Sequence, residues 1–176
     1  RGEQAVAILE RKAPGSILLG QALDFVGTAR HLLGDDPEIV GPIWERSLQI
    51  LVSNGSPVES TTRVLNKLER FDESIEIFVQ SGYTGPALVS ARLDLGDRLI
   101  QEGELAGAKV QFALALEAIK EQGKLSNSPV LAFTKLAELE HRDGNLDVAI
   151  DFLGQAIVHL DAFRSAEMGS EARQNI

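Results

Sequence analysis

The sequence predicts an all-α protein, an α-α superhelix of antiparallel helix pairs built as a single domain over residues 1–176. Three observations lead there. Apolar residues recur at helical spacing along almost the whole chain, and the strict alternation of a half-buried strand is nowhere sustained. The apolar runs are bounded by cap-and-proline pairs at one end and by glycines at the other. A pattern of small and large side chains near the middle of the chain returns, in register, toward its end.

The punctuation sets the elements in order. Asp36-Pro37, Ser56-Pro57, Gly85-Pro86 and Ser128-Pro129 each place proline at a first helical position, where its missing N–H costs nothing, behind a plausible cap. Asp72 reads as one more N-cap, and Gly55, Gly82, Gly103 and Gly144 stand where helices should stop. The resulting helices span about 3–13, 17–33, 37–53, 57–70, 72–82, 86–102, 104–123, 129–143 and 146–163. Pro42 should kink the third or delay its start. Within them Leu88, Leu95 and Leu99 share a face, as do Val110, Leu114 and Ala118, and Phe133, Leu136 and Leu139. Residues 164–176 hold few apolar anchors and should fray or add a partial helix.

Self-comparison is the most informative step. Residues 89–122 carry Leu95-Gly96, Leu99, Gly103, Leu105, Ala108, Phe112 and Ala115-Leu116. Residues 130–163 carry Phe133, Leu136-Ala137, Gly144, Leu146, Ala149, Leu153 and Ala156-Ile157. Small residues let two helices approach closely, and large ones fill the space toward the next pair. The pattern resembles the tetratricopeptide repeat. The two registers lie 41 residues apart, against about 34 in that family, and the surplus falls in an expected loop at 122–128. A fainter copy at 55–88 holds Leu65, Phe71, Ser74, Phe78, Ser81 and Gly82, with Thr61-Thr62 in place of the Leu-Gly pair. The weakest, at 21–54, holds Gly27-Thr28, Trp44 and Ser47-Leu48, and residues 3–13 resemble the second helix of a preceding repeat.

The resemblance implies that the first helix of each pair lines a concave groove for an extended peptide or a partner helix. Carried over by register, the groove residues are Glu59, Arg63, Asn66 and Lys67, then Asp94, Asp97 and Gln101, then Lys135, Glu138, His141 and Arg142. The first repeat would contribute Ala22, Phe25, Val26, Ala29, Leu32 and Leu33, an apolar face that either packs on preceding repeats or opens a pocket. Glu59 and Arg63 stand where a carboxylate-clamp groove would have Lys and Asn, so a clamp is not expected. The mixed charges either meet a partner's side chains or pair with one another between adjacent repeats.

Composition narrows the function. The net charge of −9 disfavours a duplex nucleic-acid binder, which replaces counterions with Lys and Arg. Without cysteine there is no disulfide, thiolate nucleophile or cysteine-ligated metal. His31, His141 and His159 are too far apart for a local metal motif. Glu138 with His141, three apart, makes a poor metal site, and Asp94 with Asp97 reads as a solvated face more readily than as an acid–base pair. No phosphate loop and no Gly-x-Ser-x-Gly elbow occurs. No apolar run reaches the length of a bilayer span, so direct membrane insertion is not expected and the compartment stays open. Trp44 and Phe71, Phe78, Phe112, Phe133 and Phe152 fall at core spacing.

The expectation is therefore a non-enzymatic scaffold or adaptor without cofactor or metal, whose partner is a protein or peptide. The alternatives are a structural or homo-oligomerising spacer, and a regulatory helical domain of a larger enzyme or transcriptional regulator. The start at Arg1-Gly2-Glu3 and the single methionine, Met168, lead us to expect a piece of a longer protein.

Overall fold

The computed structural model describes residues 1–122 and 128–174, with no side chain described at 167 or 169–174. Among the described residues it is helical throughout, with nine helices and no strand: α1 (Gly2–Lys12), α2 (Ile17–Leu32), α3 (Pro37–Ser53), α4 (Val58–Lys67), α5 (Phe71–Gln80), α6 (Pro86–Glu102), α7 (Leu105–Gln122), α8 (Ser128–Arg142) and α9 (Leu146–Gln174). The chain divides into two compact units, Arg1–Gly82 with α1–α5 and Tyr83–Ile176 with α6–α9.

Helix starts follow the caps in some places and depart from them in others. Asp36 accepts a 2.8 Å bond from the Glu38 amide, and α3 begins on Pro37 behind it. The helix then runs through Pro42 without a break, so its start is not delayed. Gly85 caps α6 ahead of Pro86. Ser56 is not a cap: α4 starts one residue later, Pro57 takes the N-cap position, and the Ser56 hydroxyl has no hydrogen-bond partner among the described residues. Asp72 is not a cap either, since α5 already starts at Phe71. Asp72 and Glu73 instead lie in its first turn, where a carboxylate favours the N-terminal end of the helix dipole. Gly55, Gly82, Gly103 and Gly144 all take positive φ after a helix. The fourth helix stops at Lys67 rather than 70 because Glu69 turns left-handed, at φ 57°. The last helix continues to Gln174, past the predicted end at 163.

In the first unit each helix packs on its neighbour in sequence. The core gathers Val40, Trp44, Leu48 and Leu51 of α3 with Val64 and Leu65 of α4. Helices α2 and α3 lie antiparallel: Gly20 meets Leu51, and further along α2 Gly27 meets Trp44. A Cβ on Gly27 would lie 2.6 Å from the Trp44 indole nitrogen, so only glycine fits there. Ser47, fully buried, donates its hydroxyl to the Gly20 carbonyl at 2.7 Å. Helix α1 rests on this pair without a buried residue of its own, held by Glu3–Arg30 and Glu10–Arg46 ion pairs.

The second unit repeats the device. A Cβ on Gly96 would lie 2.5 Å from the Phe112 ring, and Gly107 of α7 approaches Leu99 of α6, so this pair is antiparallel as well. The core joins Val89 and Leu93 of α6, Ala108, Phe112, Ala115 and Ile119 of α7, and Ala132, Leu136 and Leu139 of α8. Val110 faces outward, because the buried face of α7 runs through Ala108, Phe112 and Ala115. Helix α9 closes on α8 through Phe133, whose ring lies 6.1 Å from Phe152 and 5.5 Å from His159. Ala149 and Ala156 of α9 are buried, as the small positions of the pattern require.

Candidate functional site

The candidate residues lie on α4 in the first unit and on α6 and α8 in the second. In the first unit they surround a side chain that sequence reasoning missed. Asp24 of α2 is buried, and the α4 cations reach back to it. Arg63 Nε lies 2.9 Å from its Oδ2 and Lys67 Nζ 2.6 Å from its Oδ1. The Lys67 ammonium also donates to Thr28 Oγ1 at 2.5 Å and sits 5.9 Å from the centre of the Trp44 ring, within reach of its negative face. A carboxylate inside a helix pair requires counter-charge, and these two cations supply it. Arg63 and Lys67 thus fasten α4 to α2 and are not free for a ligand. Glu59 is exposed on the same helix, and Asn66 is half-buried with its amide oxygen unpartnered among the described residues. The signal for Asp24 was present: a single acid in an apolar stretch, one turn before Gly27-Thr28.

In the second unit one ion pair forms between the expected groove residues, one of the two outcomes expected for their mixed charges. Lys135 of α8 brings its Nζ to 2.7 Å from Asp97 Oδ1 of α6. Asp94, one turn earlier, is exposed and has no cation partner among the described residues. Protein atoms that displace part of its solvent, and then the nearby Asp97 carboxylate, raise its pKa above the ordinary carboxylate value. Gln101, Glu138, His141 and Arg142 are all exposed. Glu138 and His141 turn toward α9, where with Thr134 they form one wall of an open cavity of about 400 Å³ whose other wall is Leu146, Ile150 and Leu153.

A second pairing escaped the sequence. Lys109 of α7 sits between Glu140, at 2.6 Å, and Asp143, at 2.7 Å, just past the end of α8. Its hydrogen bonds to these carboxylates raise the Lys109 pKa, and the Lys109 ammonium holds the Glu140 carboxyl below its usual value. On the first-repeat face Val26 is buried, whereas Phe25, Leu32 and Leu33 lie largely in solvent. Among the described residues no cluster of acids and histidines could hold a metal, and no helix is long and apolar enough to cross a membrane. The chain matches no protein-family model and no curated protein.

Proposed function

We propose that this chain is a non-enzymatic scaffold of tetratricopeptide-like helix pairs, and that the exposed face of α6 and α8 in its second unit takes a basic segment of a partner protein. The observation that carries the reading is Asp94. The residue is exposed, its carboxyl loses part of its solvent to neighbouring protein atoms and then feels the Asp97 charge, and it has no counter-ion among the described residues, while Asp97 and Lys135 hold each other. A lysine or arginine from a partner would relieve that like-charge pressure, and Gln101 stands two turns along the same helix to bond a peptide amide. Support for helix pairs of this kind comes from the recurrent seating of a glycine under an aromatic ring, Gly27 on Trp44 and Gly96 on Phe112.

The test is capture and cross-linking. A photo-reactive residue at position 101 should trap a partner segment rich in Lys and Arg, and one at the outward-facing position 110 should not. Asp94→Lys should abolish the trapping. Equal trapping from both positions, or trapping untouched by Asp94→Lys, would remove this face from recognition.

A second reading, a self-associating spacer, draws support from the exposed apolar Phe25, midway along α2, and Leu32 and Leu33 at its C-terminal end. Light scattering over a concentration series separates the two: the spacer reading requires dimers that Phe25→Asp disperses.

A further inference from the structure

The second unit shows how one helix pair receives the next helix. Helix α8 lies on the α6/α7 pair through an apolar contact, the Lys109 pairing with Glu140 and Asp143, and a further ion pair. Its Ala132, Leu136 and Leu139 share a buried cluster with Phe112 of α7, against which the partly buried Leu105 and Leu116 pack. Its Lys135 pairs with Asp97 of α6. Carried forward by the 41-residue offset of the repeat, the receiving positions become Leu146, Leu153 and Ile157 on α9 and Glu138 on α8. The chemistry is conserved position by position, but the cover is not. Phe112 is 0% exposed, whereas Leu146 is 55%, Leu153 45% and Ile157 60% exposed. Ile150, at 66%, joins them on the same stripe at helical spacing. Among the described residues nothing lies over this stripe, and the open cavity between it and Glu138 follows the α8/α9 seam.

We infer that the α8/α9 seam is a docking groove for an amphipathic helix of a partner protein with an Ala/Leu stripe flanked by a lysine or arginine. Charge complementarity selects this occupant. Glu138 stands where Asp97 stands and is free to take a cation as Asp97 takes Lys135. Asp147 and Asp151, both exposed, add negative charge beside the stripe. Ile150 replaces Lys109, the residue that holds Glu140 and Asp143 of α8, so the arriving helix has no use for acids at that height and is apolar there instead. Leu146, Ile150 and Leu153 form one apolar side of the groove, against which the i, i+3, i+4 and i+7 anchors of an amphipathic helix can pack. The groove is a different surface from the Asp94 face, and it stands whether or not that face binds.

The probe is a labelled synthetic peptide with the sequence of α8, residues 128–142, carrying Glu140→Leu to meet Ile150, titrated into the whole chain by fluorescence anisotropy. Saturable binding is expected. Ile150→Asp and Glu138→Lys should each weaken it about tenfold or more. The peptide with Lys135→Glu should lose affinity for the wild-type protein and regain it for Glu138→Lys, a charge exchange that non-specific apolar adsorption does not produce. Ile150 is exposed, so an unchanged thermal midpoint by circular dichroism will show that its variant is folded; Leu153→Gln serves if it is not. Asp94→Lys should leave peptide affinity within about twofold, which keeps failure of this groove distinct from failure of the α6/α8 face. Absence of saturable binding, binding indifferent to Ile150→Asp, or a charge exchange that restores nothing would overturn the inference. So would light scattering that shows a dimer dispersed by Ile150→Asp, because the occupant would then be a second copy of the chain.

Discussion

A methyl group added at Gly96 meets the Phe112 ring at 2.5 Å, and Phe112 is wholly buried and has nowhere to go. Gly96→Ala should therefore destabilise the protein by about 1–3 kcal/mol despite the better helix propensity of alanine. Gly154, also within a helix, has nothing within 4 Å of the same added atom, and Gly154→Ala should stabilise by about 0.5–1 kcal/mol. Urea denaturation of the two variants reads both signs against one reference. The second prediction concerns Asp24. Asp24→Ala leaves the partly buried Lys67 without its carboxylate and frees α4 from α2, and should cost about 2–3 kcal/mol by the same measurement. Asp94 behaves in the opposite way. Its folded-state pKa lies above the unfolded value, so its protonated form favours the folded state. That contribution is complete below the unfolded pKa and disappears as pH rises through the folded one. Asp94→Asn should thus raise the thermal midpoint at neutral pH, with the gain shrinking as the pH falls through the carboxylate range.

At the scale of the element, the helices were legible because their signals are local. Period, proline and glycine act within a few residues of where they stand, and all nine predicted segments correspond to described helices. Boundaries failed where a nearby contact outweighs the local rule. At Ser56 the cap is lost by one residue; at Phe71 the large side chain enters the core and draws the helix start ahead of Asp72. Helix α9 outran its prediction because only apolar spacing marked its end at 163, and the helix runs on through Gly169 to Gln174. The expected loop at 122–128 falls mostly outside the described residues. Side-chain pairing was legible only in part. Lys135 with Asp97 joins two of the expected groove residues, but not two that the 41-residue register aligns, which pairs Asp97 with Glu138 and Asp94 with Lys135. Asp24 with Arg63 and Lys67 spans 39 and 43 residues and ties two expected groove cations to a buried acid that was no groove candidate. Register predicts which backbones are neighbours; it does not predict which charge is left over once neighbours have paired. For that reason the positions left without an ion pair among the described residues, Glu59, Asp94, Gln101, Glu138, His141 and Arg142, emerge only from the structure.

At the scale of the molecule, the two buried clusters share no residue: one gathers α3 and α4 within Arg1–Gly82, the other α6 to α8 within Tyr83–Ile176. In helical repeats stability is close to a sum of repeat terms and nearest-neighbour terms, so a cavity in one cluster weakens that cluster first. The chain offers a direct way to see this, because its one tryptophan, Trp44, lies in the first cluster. Phe112→Ala removes a fully buried ring from the second and should cost about 3–5 kcal/mol there. The expected outcome is a divergence of probes during urea unfolding. Ellipticity at 222 nm, which sums the helices of both units, should lose about half its amplitude at a lower urea concentration than in the wild type. Trp44 fluorescence should keep its wild-type midpoint. If both probes move together by the same amount, the chain unfolds as one cooperative body. A partner bound at the α6/α8 face or the α8/α9 groove would then raise the Trp44 midpoint as well.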